Sequence, residues 1–72
     1  MVGLRITQIR RAKHIGQGEL LSQIQLQGVE MSQAKLSRIE GQRIAVFDHD
    51  LFAIAKALGV SVDSLFQESS IP

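Results

Sequence analysis

Four times along this chain an apolar residue stands five positions ahead of a second one, with a helix-capping residue directly after the first. The pairs are Ile15 and Leu20, Met31 and Leu36, Phe47 and Phe52, and Val60 and Leu65, with Gly16, Ser32, Asp48 and Ser61 as the caps. This is the N′ to N4 spacing of a hydrophobic staple, which sets the angle at which a chain enters a helix. Four such starts in 72 residues restrict the fold to short helices joined by short connections. Gly28, Gly41 and Gly59 supply matching stops, since a glycine after the last turn readily closes a helix.

A further helix precedes the first staple. Leu4, Ile6 and Ile9 predict it from about Val2 or Gly3 to Lys13, with Arg5 and Arg11 on its outer face. The second helix starts after Gly16 and turns Leu20, Leu21 and Ile24 inward; Gly16 and Gly18 would let its first turn approach a backbone closely. The third runs from the Ser32 cap to Glu40, with Gly41 as its C′ residue. The fourth runs from Asp48, read as its N-cap, to Leu58 and buries Leu51, Ile54, Ala55 and Leu58. A last short helix after Ser61 presents Leu65 and Phe66. With no sustained strand alternation and no internal repeat, the fold class is all-α, five short helices in one domain over 1–67, followed by a frayed tail over 68–72.

A domain of this size buries only roughly 60% of its unfolded surface, so a partner subunit would add stability. The chain has no cysteine, which removes disulfides and thiolate metal sites. Phe47, Phe52 and Phe66 are its only aromatic residues, too few for the stacking platforms of single-strand binders. No apolar run reaches membrane length and no signal peptide is recognisable, so a soluble, cytoplasmic protein with no membrane partner is expected. Net charge is only +1, but residues 1–43 hold seven cationic against three acidic side chains, and residues 44–72 hold one against four. The basic part suits phosphate. Short chains also show such imbalance by chance.

The third helix carries the chemistry. At 100° per residue Leu36 and Ile39 form a narrow buried seam, while Ala34, Ser37 and Arg38 point away from it, with Gln33 and Lys35 on the flanks. An amide, a methyl, a hydroxyl and a guanidinium match base edges in the DNA major groove: the fork reads guanine, the amide adenine, the methyl thymine. The stretch reads as a recognition helix. Ser37 has no histidine or acid at a spacing that would activate it, and Gly16-Gln17-Gly18 lacks the lysine of a phosphate loop. His49 between Asp48 and Asp50 reads as charge at a helix start, not a metal site. Neither an enzyme nor a cofactor is implied.

Across nearly its full length the chain resembles the Cro and lambda-repressor type of helix-turn-helix domain, the XRE family. The resemblance rests on Ile6 with Ile9-Arg10, on Ile15, Gln17, Glu19 and Leu20, on Ser32 to Gly41, and most specifically on the run from Ile54 to Phe66. It implies a lambda-repressor-like DNA-binding domain with the helix-turn-helix in helices 2 and 3. Gln33, Ala34, Ser37 and Arg38 would face bases, and Gln17, Gln42 and Arg43 would touch the phosphate backbone, with Lys35 and Arg10 near it. Arg10 and Glu40 match a pair that bridges the first helix to the third in relatives. Two features depart from the family pattern: Gln25 to Glu30 lengthen the connection between helices 2 and 3, and Leu21 stands where a small residue is usual.

The expected function is a sequence-specific regulator of transcription, a repressor, that binds double-stranded DNA as a homodimer on an inverted repeat. Phe47, Phe52, Phe66 and Ile71 are the candidates for the dimer interface. The competing reading is a protein-interaction module on the same scaffold, an antitoxin or an anti-repressor, with those residues facing a protein partner.

Overall fold

The computed structural model of the chain describes residues 2–66. It is all-helical: among the described residues there are five helices and no strand. They are α1 (Val2–Ala12), α2 (Gln17–Leu26), α3 (Gln33–Glu40), α4 (Asp48–Leu58) and α5 (Val62–Phe66). None is long and apolar enough to cross a membrane. The expected tail over 68–72, and Ile71 with it, lies outside the described residues.

One core serves all five helices. Ile6 of α1, Leu20 and Ile24 of α2, Leu36 and Ile39 of α3, Ile54 of α4 and Leu65 of α5 are fully buried in it. Around them α2 packs on α4, α1 on α3 and α5, and α4 on α5. Each helix contributes a narrow apolar stripe, so burial is shared among short elements that would not be stable alone.

Three of the four staples form as read. Gly16, Ser32 and Ser61 sit just before α2, α3 and α5, and Leu20, Leu36 and Leu65 are buried one turn later. The start of α4 is shifted by one residue. Phe47 is its N-cap, in extended conformation, and the Leu51 N–H bonds to the Phe47 carbonyl at 2.9 Å. The staple there is Val46 and Leu51, which face the core, while Phe47 and Phe52 point out. Asp48 is thus the first residue of the helix, where its carboxylate still favours the N-terminal dipole.

The helix ends depart from glycine logic in two places. After α4, Gly59 is left-handed as expected (φ 74°), and Gly28 takes the same conformation after α2 (φ 83°). After α3, however, Gly41 has φ −82° and the left-handed residue is Gln42 (φ 61°). The Gln42 N–H bonds to the Ile39 carbonyl and the Arg43 N–H to the Arg38 carbonyl, a Schellman closure with Gln42, not Gly41, at C′. α1 ends in the same way on His14 (φ 59°), with the His14 N–H on Arg11 and the Ile15 N–H on Arg10.

Close backbone approach occurs at Gly3, not at Gly16 or Gly18. A Cβ built at Gly3 would overlap the Ile39 carbonyl oxygen and lie 2.9 Å from the Gln42 Cγ, whereas at Gly16 and Gly18 it would meet open space. Glycine in the first turn of α1 is therefore what lets that helix rest on the C-terminal end of α3.

Candidate nucleic-acid interface

Helix α3 is held on three sides, and the ties explain which of its side chains stay free. Its start is capped by the Ser32 hydroxyl, which accepts from the Lys35 N–H at 3.0 Å. Leu36 and Ile39 anchor it to the core. Gln33, Ala34, Ser37 and Arg38 are all exposed on the opposite side, the four residues expected to face bases.

Toward α1 the tie is ionic. The Arg10 guanidinium grips Glu40 through Nε to Oε2 (3.1 Å) and Nη2 to Oε1 (3.0 Å), and donates from Nη1 to the Ile15 carbonyl at 3.0 Å. Thr7 Oγ1 adds a bond to Glu40 Oε1 at 3.1 Å. The two side chains are only 12% and 7% exposed. The expected pair is thus formed, two-pronged and desolvated, a geometry suited to holding α1 in register with α3. Three of the five Arg10 N–H groups are committed inside the protein, leaving a thin edge for an outside acceptor.

Toward α2 the tie is a single polar contact at the surface: Ser37 Oγ donates to Gln17 Oε1 at 3.1 Å. The first residue of α2 therefore touches the outward face of α3, and the Gln17 amide nitrogen is left as a donor beside Ser37. Gln42 and Arg43 are exposed where the Schellman closure turns the chain away from the C-terminal end of α3. Gln17 is thus joined to the exposed side of α3, whereas the Gln42 side chain lies beside Gly3 and lines a groove with Val2 and Ile44.

Lys35 behaves differently from its expected role at the DNA backbone. Its ammonium turns toward α4 and lies 2.9 Å from Asp50 Oδ2. Asp50, 1% exposed, is the one charged side chain buried in the core region of the described residues. Neither of its oxygens receives a well-aligned hydrogen bond, so Lys35 is the nearest compensating charge. His49 Nε2 is 3.4 Å from Oδ1 and contributes charge only when protonated. Asp50, expected with Asp48 as charge at a helix start, is the third residue of α4, beside Leu51, and that position puts it inside.

The long connection between α2 and α3 is pinned by two amides that sequence reasoning passed over. Gln25 Nε2 donates to the Met31 carbonyl at 3.0 Å, bridging the loop, and Gln27 Nε2 donates to the Ala53 carbonyl of α4 at 2.8 Å. α2 extends to Leu26, which absorbs part of the extra length, and Leu21 is accommodated half-buried against the core. Arg5, on the side away from α3, donates from Nε to the Ser64 carbonyl at 3.1 Å and ties α1 to α5.

The three phenylalanines are exposed: Phe47 by 63%, Phe52 by 61% and Phe66 by 56%. Phe47 stacks on His49, with ring centroids 6.4 Å apart. Phe66 borders a groove of about 380 Å³ shared with Ile44, Val46 and Leu51. The described residues contain no group of three or more potential metal ligands. Comparison of the chain with protein-family models, with curated proteins and with solved structures gives no match.

Proposed function

We propose that the protein is a sequence-specific, double-stranded DNA-binding regulator of transcription of the XRE helix-turn-helix type, a repressor, that inserts α3 into the major groove. The observation that carries this reading is the exposed set Gln33, Ala34, Ser37 and Arg38 on a helix whose other faces are tied to α1, α2 and α4. A surface of that composition offers base-edge partners without a carboxylate to repel phosphate. Gln17 touches it through Ser37, and Gln17, Gln42 and Arg43 act as positioning contacts to the DNA backbone. The protein binds and does not catalyse.

The exposed phenylalanines favour a homodimer, since two-fold pairing places two recognition helices about one helical turn of DNA apart and gives a small domain the specificity of two half-sites. The same residues are what the rival reading uses, in which the scaffold is an interaction module and a protein partner covers Phe47, Phe52 and Phe66.

Selection of the purified protein on a random duplex library separates the two. Enrichment of an inverted repeat, with binding that falls steeply as salt rises, is the expected result. Folded protein that enriches no sequence at low salt rejects DNA binding in favour of the interaction module.

A further inference from the structure

Lys35 stands at the third position of α3, three residues before Arg38, so its side chain is within reach of the rim of the proposed DNA-facing surface. Its ammonium is nevertheless drawn off that rim to Asp50, at 2.9 Å, from a carboxylate that is otherwise without a hydrogen bond. A buried carboxylate stripped of its partner charge is costly, so the lysine is held and not merely nearby. Charges that do reach phosphate strengthen binding to every sequence alike.

Resting on the DNA-binding reading, we infer that Asp50 is a specificity-determining residue: by holding Lys35 against α4 it withholds one cation from DNA phosphate and keeps non-specific affinity low. Asp50 touches no DNA itself and acts as a positioning residue through Lys35. Arg38 and Arg43 carry no comparable tie among the described residues, so the restraint falls on one cation of the surface and spares the side chain best suited to a base.

Two measurements test this, and the first needs no DNA. Reductive methylation of the free protein, followed residue by residue by mass spectrometry, should label Lys35 more slowly than exposed Lys13 and Lys56 by more than about fivefold, beyond what an exposed ion pair gives. Asp50→Asn should remove that protection. Equal labelling in the unaltered protein overturns the inference, and does so even if Asp50→Asn fails to fold. The second measurement is the salt dependence of binding to duplex without a preferred site. Asp50→Asn should steepen the log–log slope by about 0.9, one extra phosphate contact, and Asp50→Asn with Lys35→Met should return it to the starting value. A folded Asp50→Asn protein with an unchanged slope overturns the inference. If the unaltered protein binds no duplex at all, the DNA reading fails and this role fails with it, a result distinct from protected Lys35 with an unchanged slope.

Discussion

Gly3→Ala sets two physical effects of opposite sign against each other within α1. Helix propensity alone favours alanine over glycine by up to about 1 kcal/mol. Packing opposes it, because the new methyl would overlap the Ile39 carbonyl oxygen and approach Gln42 Cγ to 2.9 Å. That oxygen belongs to backbone and also receives the Gln42 N–H, so it cannot swing aside as a side chain would. The helix must back away from α3, loosening the Arg10 and Thr7 bonds to Glu40, which lie further along the same contact. Overpacking costs about 1–3 kcal/mol, and overlap with a backbone oxygen that cannot give way puts this case at about 2–3 kcal/mol, which after the propensity gain leaves a net loss of about 1–2 kcal/mol. For a domain of this size the melting temperature should fall by roughly 5–15 °C. Thermal unfolding followed by circular dichroism reads it, and Gly18→Ala is the internal control. There the methyl meets open space, so the same substitution should raise stability by up to about 1 kcal/mol. A Gly3→Ala protein as stable as the parent, or more so, refutes the argument for close approach.

Three further outcomes are expected. Gln42→Gly should stabilise the fold by about 1 kcal/mol, measured by urea unfolding, because a left-handed conformation costs an L-residue about 1–2 kcal/mol; no gain would mean that the Gln42 side chain contributes as much as its backbone loses. Arg10→Met or Glu40→Gln alone should cost about 3–5 kcal/mol by leaving a desolvated charge, while Arg10→Met with Glu40→Leu should cost less; a double variant no better than the worse single one contradicts the register role. On a selected duplex, Arg38→Ala should lose about 1–3 kcal/mol and relax preference at one base position, whereas Arg43→Ala should weaken all sequences alike and flatten the salt slope by about 0.9; interchanged behaviour would reverse the assignment of base and phosphate contacts.

Much of the candidate site is legible in the sequence. The Ser32 cap, the Leu36 and Ile39 seam and the exposed side of α3 follow from periodicity and capping within nine consecutive residues. The Arg10 and Glu40 pair came from resemblance to a family, not from spacing, and the structure brings the two together. At the start of α4, Phe47, Asp48 and Phe52 satisfied the staple pattern, but so did Val46 and Leu51 one position away. Capping preference alone decided wrongly, because burial of Leu51 and Ile54 determines the rotation of that helix.

Local order in this protein, its five helices and where all but α4 begin, was determined by the sequence, since caps, staples and apolar periodicity are interactions between residues at most a turn or so apart. What only the tertiary structure decided is the meaning of Gly3, Lys35, Asp50 and Gln27. Gly3 marks the contact of α1 with α3, Lys35 belongs to Asp50, and Gln27 closes α2 on Ala53. Each of these partners lies far along the chain, and a short pattern cannot specify it, because the distance between them is set by the simultaneous packing of all the helices around one core.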